Sequence, residues 1–387
     1  MKKRSGFIIA LVLLCVSLGL SACLNENLGE ISINEAIEEN KPSQEELSEF
    51  YSRLEDDTYF YYNNLNDDKK EAYITLYVSV MNFDESIYLD ISEDSIEDVF
   101  TSVLFDNPHI FWVNNGYSYK EHDKGIIFSP EYRHTIEEAD TITNELNKKI
   151  DEIVSEVELL SSEYEKELYI HDYVCENTAY DFDIGEFTDT AYEALLNGNA
   201  VCEGYSRAIQ ILLNAVDIDN YLIVGNGISE GKIEPHMWNV VNIDNANYHL
   251  DATWNDSDEG ITYFYFNVTD EYILKNHTDL NITNNGCGYN TANYFVMENL
   301  YVSDYNGFDE HTDRCALALK NGKNTIEFYF NDPDDFKEAI NDIENGNDFF
   351  QFVSSTVYQS GRDLDLQEIE YYTYDTFNYL CIAFKER

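Results

Sequence analysis

A cysteine, a histidine and an aspartate at positions 202, 236 and 251 have the residue types and order needed for acyl transfer through a thioester. Cys202 lies in "NAVCEGYSRAIQILLNAV" (Asn199 to Val216), His236 opens "HMWNVVNI", and Asp251 sits in "YHLDATW". A thiolate attacks; a nearby base must take the thiol proton, and a third group must orient that base. Tyr205, Ala208, Ile209, Leu212, Leu213 and Val216 recur at i, i+3, i+4 and i+7, which predicts a helix beginning at about Cys202. A thiol there faces unsatisfied N–H groups and the positive end of the helix dipole, which favours thiolate. Gly204 on the first turn would leave space for a ligand, and Gly198 and Ala200 keep the entering loop narrow. Burial is the ordinary fate of a free cysteine, so the partners must decide between the two readings.

The partners lie on a hairpin. "DNAN" separates the two segments, and Asp244-Asn245 reads as a two-residue primed turn. Pairing about that turn sets His236 opposite Thr253 and Trp238 opposite Asp251, making His236 and Asp251 diagonal neighbours on one face. Diagonal Cβ atoms lie about 7–8 Å apart or somewhat less, a gap that imidazole and carboxylate can bridge. A slip of one residue would separate them.

"AVCEGYSRA", "HMWNVV" and "YHLDATWND", in this order, resemble the three motifs of the transglutaminase-like superfamily, whose core is a circularly permuted relative of the papain fold. The resemblance is strongest from Tyr164 to Thr278, and "TSVLFDNPHIFWV" is similar to the lead-in of bacterial members. It implies an α+β architecture in which a nucleophile helix packs on an antiparallel sheet. Cys202 would be the nucleophile, His236 the base and later the acid, and Asp251 the orienter. It also implies a protein or peptide substrate, with hydrolysis favoured over cross-linking; the alternatives are amine incorporation and a non-catalytic surface module on the same fold.

The Cys202 backbone N–H, at a helix start, is the natural first donor to an oxyanion. Asn177 or Tyr180 in "CENTAYD" is a candidate for the second, in a segment that the family also uses beside its site. Trp238 either walls the cleft or packs beneath the three residues. His249 either lines the rim or is structural. His171 and Cys175, at i and i+4, are read as helix packing, there being no third ligand at suitable spacing. Asp181 and Asp183 form one acidic turn without the oxygen spacing and glycine of an EF-hand. No metal and no cofactor are expected.

The chain opens "MKKRSGFIIALVLLCVSLGLSAC", a basic start, an apolar run from Phe7 to Leu20 and small residues before Cys23. "LSAC" resembles the lipobox of bacterial lipoproteins, which implies a signal peptide over residues 1–22, lipidation at Cys23, and an extracytoplasmic protein held on a membrane. The formal charge is −52, and loss of the leader leaves 20 basic against 75 acidic residues, which disfavours nucleic acid as a partner. Cys175, Cys202, Cys287, Cys315 and Cys381 remain, an odd number, so at least one thiol stays unpaired within a monomer.

The positioning elements follow in order. Residues 23–58 are acidic and polar and read as a flexible tether. Residues 59–160 read as helices at Asp67 to Met81 and Ser92 to Leu104, two or three short strands with turns at Asn114 to Gly116 and Asp123 to Gly125, and a helix from His134 to Leu160. After a capping-box pattern at Ser162 to Glu165, a second helix runs to about Cys175 and opens the transglutaminase-like segment, 161–290. Residues 291–387 alternate "NTIEFYF", "DPDDFKEAINDIE", "QEIEYYTYD" and "FNYLCIAF", a small α+β domain.

Overall fold

Aromatic burial begins earlier in the chain than its acidic composition suggests. The computed structural model describes residues 2–5, 41–56, 59–122, 125–181, 185–229, 231–257, 260–279 and 286–387. Within the stretch read as a tether, Gln44–Asp56 forms helix α1. Its Phe50 is 1% exposed and packs on the rings of Tyr59, Tyr62, Tyr73 and Tyr77. Burying one such ring is worth about 1.5–3 kcal/mol, so the tether ends before Gln44 and not at residue 58. Cys23, the leader beyond residue 5 and the tether up to residue 40 lie outside the described residues, as do Asp123, Lys124 and Asp183. Among the described residues no helix is long and apolar enough to cross a membrane.

Helix α2 (Asp67–Met81) starts at Asn66, whose side chain accepts from the Lys69 N–H. Strand β1 (Ile87–Leu89), helix α3 (Ile96–Asp106), and strands β2 (Val113–His122) and β3 (Gly125–Tyr132) follow, giving an antiparallel sheet of order β1-β3-β2. Asn114 to Gly116 is not a turn. It lies inside β2, where the register shifts between Val113 and Tyr117, so the turn-forming residues are absorbed as a bulge.

Helices α4 (Ile136–Val157) and α5 (Glu163–Asn177) both begin with a complete capping box, Thr135 with Glu138 and Ser162 with Glu165. Helix α6 (Cys202–Asn214) packs on the second sheet, built from β4 (Asn220–Ser229), β5 (Lys232–Ile243), β6 (Ala246–Leu250) and β7 (His277–Asp279). Its order is β7-β4-β5-β6, antiparallel throughout. Asp244 and Asn245 have φ of +52° and +64°, the primed turn expected, and pairing runs from Ile243–Ala246 to Asn239–Leu250 in the expected register. There it stops. Asp251 gives its N–H to the Tyr265 carbonyl and caps the short helix Ala252–Asn255, so the anticipated pairs Trp238–Asp251 and His236–Thr253 do not form.

The C-terminal region contains α7 (Thr312–Lys320), β8 (Thr325–Phe330), α8 (Pro333–Asn345), α9 (Asn347–Ser360), β9 (Glu370–Tyr374) and β10 (Tyr379–Ala383). Its sheet runs Lys2–Ser5, β9, β10, β8, Tyr301–Val302. Sequence patterns located α8, β8, β9 and β10 but not α7 or α9; the aromatic and β-branched "DFFQFVSSTVYQS" buries Phe349, Phe352, Val353 and Val357 at helical spacing. This region is packed against the core. Phe264 meets the edges of Tyr374, Phe377 and Tyr379, and Tyr263 stacks on Tyr294 at 3.7 Å.

The hairpin turn sets the register of the site, and left-handed backbone costs a Cβ-bearing residue about 1–2 kcal/mol unless its side chain is suited to it. Asn245→Val should therefore lower the urea unfolding free energy by about 1–2 kcal/mol, while Asn245→Gly should leave it unchanged or slightly higher.

Candidate active site

The approach to Cys202 is a tight loop. A π-helical turn (Glu193–Asn197) ends at Gly198, whose φ is +75°, and Asn199–Ala200 then pairs in parallel with Ala179–Tyr180. The Val201 N–H donates to the Thr188 carbonyl at 2.9 Å. A Cβ on Gly204 would stand 2.3 Å from that same carbonyl oxygen and 2.8 Å from the Ala200 Cβ. Gly204 therefore admits the loop backbone, not a ligand, which corrects the reading from sequence.

Polar grips fix α6 on the sheet. Ser206 Oγ donates to the Met237 carbonyl at 3.0 Å, and Asn239 Nδ2 returns a bond to the Ser206 carbonyl at 3.0 Å. Arg207 forks onto Glu203 Oε1 at 3.1 and 2.9 Å and reaches the Leu104 carbonyl at 2.7 Å, all within the interior.

Cys202 has no exposed surface and packs with Val201, Leu222, Val224 and Met237; Phe105 and Tyr180, both partly buried, cover this cluster. Burial pushes the thiol well up, and the Glu203 charge adds to it; a hydrogen bond from the Met237 backbone N–H opposes both without cancelling them. The helix start thus does not make a thiolate in this closed arrangement, because desolvation outweighs the first-turn field.

His236 and Asp251 meet as the sequence implied. His236 Nε2 lies 2.7 Å from Asp251 Oδ2, leaving Nδ1 as the ring atom available to a nucleophile. Asp251 Oδ1 accepts the Trp254 N–H at 3.1 Å. A third residue, unforeseen from sequence, joins them: His277 Nε2 lies 3.1 Å from the same Oδ2. Burial works against ionisation of Asp251, but the two imidazoles outweigh it and hold the carboxyl well below the usual range. Burial likewise pushes His277 down to about 4, against the raising effect of Asp251.

One signal for His277 was present in the chain. Gly225 and Gly227 alternate along β4 and pair with His236 and His277 respectively. Cβ atoms at these glycines would strike the Trp238 ring at 2.6 Å and the Trp254 ring at 2.4 Å. Glycine at alternate positions of a strand marks a surface where rings approach the backbone.

Trp238 packs beneath the site. It has no exposed surface, lies nearly parallel to the His236 ring at 5.9 Å, and donates Nε1–H to His249 Nδ1 at 3.0 Å. His249 Nδ1 is thus an acceptor, so the ring's hydrogen sits on Nε2, 2.9 Å from Asp270 Oδ1. His249 is structural. Asn177 is exposed and spends its amide on the Tyr173 carbonyl at 2.8 Å within its own helix, so it is not brought to Cys202. Tyr180 is: its ring packs against the cluster that holds Cys202. His171 and Cys175 pack as expected, His171 Nε2 lying 3.1 Å from Asn255 Nδ2 and the Cys175 thiol donating to the Ala252 carbonyl at 3.5 Å. The five cysteines among the described residues are all buried and unbridged.

Among the described residues two groups have metal-binding donor types, His236 with Asp251 and His277, and His249 with Asp270 and Cys287. In the second, the His249 Nε2 lone pair is replaced by the hydrogen directed at Asp270. In the first, both imidazoles face one carboxylate oxygen at hydrogen-bond distance. Neither is assigned as a metal centre.

Residues 135–252 match the model of the Transglutaminase-like superfamily, a stretch that includes the helix bearing Cys202 and the strand bearing His236. No curated protein matches the chain. Among solved structures, similarity is found to a "Putative Cysteine Protease" from Cytophaga hutchinsonii, at 20% identity over 28% of this chain and 37% of that one, with a TM-score of 0.25. It is also found to a TGase, at 17% identity over 43% of this chain and 50% of that one, with a TM-score of 0.27. The chain therefore spans at most half the length of these relatives.

A histidine whose folded value lies below its unfolded one stabilises fully above the unfolded value, and that contribution is lost as pH falls through the folded value. For His277 the window runs from 6.5 down to about 4. Wild type should lose stability relative to His277→Gln across that window, as read by urea unfolding at pH 7 and pH 4.5.

Proposed function

We propose that this protein is a cysteine acyl-transfer enzyme, working outside the cytoplasm and tethered to a membrane through lipid on Cys23. The observation that carries the reading is the 2.7 Å bond between His236 and a fully buried Asp251, on the strand that also hydrogen-bonds the Cys202 sulfur through Met237. Cys202 passes its proton to His236 Nδ1 and attacks an amide carbonyl; the C–S bond forms and the carbonyl oxygen takes up the electron pair. The Cys202 N–H and the hydroxyl of Tyr180, which packs against the Cys202 cluster, are the donors to that oxyanion. Collapse of the tetrahedral intermediate breaks the C–N bond, and His236 protonates the departing amine. Water, deprotonated by His236, then hydrolyses the thioester. The abundance of water outside a cell favours hydrolysis of peptide or side-chain amides over amine incorporation.

Cys202 must be uncovered for any of this. Phe105 and Tyr180 are the partly buried residues over its cluster, and displacing them would relieve the desolvation that raises the thiol. The same burial supports a second reading, a non-catalytic binding module on this fold.

Iodoacetamide labelling across pH 5–9 separates the two. Cys202 should label slowly at pH 7 in wild type and at least about tenfold faster in Phe105→Ala, with the gain lost when His236→Ala is added. In peptide hydrolysis, Cys202→Ala and His236→Ala should each cost at least about a thousandfold, and Tyr180→Phe about a hundredfold. If uncovered Cys202 reacts no faster than Cys315 and no amide is cleaved, the binding module is the better reading. Primary-amine incorporation exceeding hydrolysis would instead make the enzyme a transferase.

Cleavage before Cys23 would also remove the Lys2–Ser5 strand from the edge of the C-terminal sheet, leaving β9 exposed. In a bacterial host, wild type should fractionate with membranes and Cys23→Ser should not; equal membrane association of the two would refute the lipid anchor.

A further inference from the structure

The second imidazole on Asp251 has a determinate hydrogen-bond direction. Ionised Asp251 can only accept, so a hydrogen bond from either ring to Oδ2 requires hydrogen on that ring's Nε2. At neutral pH His277 holds a single proton, since burial pushes it down to about 4. That proton is committed to Nε2, and Nδ1 must accept.

Asn276 Oδ1 lies 2.9 Å from Nδ1 and Asn276 Nδ2 2.6 Å from the Tyr265 hydroxyl, an orientation of the amide that gives an accepting Nδ1 no donor. Amide oxygen and nitrogen are assigned from the hydrogen bonds they make. With nitrogen toward His277 and oxygen toward Tyr265, every group in the chain is satisfied. The 2.6 Å separation also suits O–H···O, whose range begins near 2.5 Å, better than N–H···O, whose range begins near 2.7 Å. The hydroxyl of Tyr265 thus donates to Asn276, the Asn276 amide to His277, and His277 to Asp251. All of these residues are buried, and the rings of Trp238, Trp254 and Tyr265 enclose His277 at 4.9, 4.3 and 5.2 Å.

We propose that His277 is a positioning residue of this site, a second N–H donor that fixes the Asp251 carboxylate for His236, with Asn276 and Tyr265 fixing the tautomer of His277. The chain of bonds stands on its geometry together with the burial that keeps His277 neutral; its value for catalysis rests on the acyl-transfer reading. Dividing Oδ2 between two donors weakens each bond, so the carboxylate orients His236 yet leaves that ring free to exchange a proton with Cys202. The titratable groups around Asp251 and the two rings are His249, Cys175, Tyr180, Cys202 and Tyr265.

Histidine-selective 15N–1H spectra of the full chain test this in wild type, His277→Gln and His277→Leu. In wild type, His277 should be neutral with its hydrogen on Nε2 from pH 8 to pH 5. The His236 Nε2–H resonance should move downfield in His277→Leu, where Oδ2 serves one donor, and return toward its wild-type position in His277→Gln, which retains an N–H. A His277 hydrogen on Nδ1, or a His236 resonance equally placed in all three folded proteins, would overturn the proposal. The wild-type tautomer decides the matter even if a variant fails to fold. An unreactive Cys202 would refute acyl transfer and leave these spectra unaffected.

Discussion

A carboxylate with no exposed surface must be solvated by the protein itself, and Asp251 is that carboxylate. Two imidazoles and one backbone N–H supply what water would. Each comes from a different element: His236 from β5, His277 from β7, and Trp254 from the short helix that Asp251 caps. The primed turn, the early end of β6 and the glycines of β4 are local conditions for bringing those three groups to one point. Other buried carboxyls show the contrast. Asp106, Glu167 and Glu327 accept hydrogen bonds but have no pair of imidazoles, and burial pushes them up to about 7, 8 and 7.

The Cys202 side of the site follows a different rule. Helix α6 is held by the Ser206–Met237–Asn239 exchange and by Arg207, which joins it to α3 through the Leu104 carbonyl. These bonds put Cys202 at the helix start but enclose it, and the desolvated thiol is driven toward its neutral form. A reactive cysteine needs the opposite environment. The tension is concentrated in Phe105 and Tyr180, which come from the N-terminal region and from the segment after α5.

The parts of this architecture that the chain states locally are helix starts and the hairpin. Capping boxes at Thr135 and Ser162, the Asn66 cap and the Asp244-Asn245 turn each involve residues a few positions apart, and side-chain reach over that distance is set by backbone geometry alone. Signals of the same kind mislead where packing competes with them. Asn114 to Gly116 carries turn chemistry but is drawn into a bulged strand, and acidic α1 is captured by a ring of tyrosines around Phe50. Helix α9 has a strand-like composition, yet its buried residues recur at helical spacing.

By itself the sequence determined the order Cys202, His236, Asp251, the helix start beneath the first, and the hairpin register as far as Leu250. All of these follow from periodicity and turn chemistry. Only the tertiary structure decided that Asp251 serves two histidines, that Gly204 makes room for the Thr188 carbonyl, that Asn177 turns away, and that Tyr180 and Phe105 pack against the cluster that holds Cys202. The reason is separation along the chain. His277 reaches Asp251 through the pairing of β7 with β4, and Phe105 reaches the Cys202 cluster from α3, contacts that no local spacing encodes.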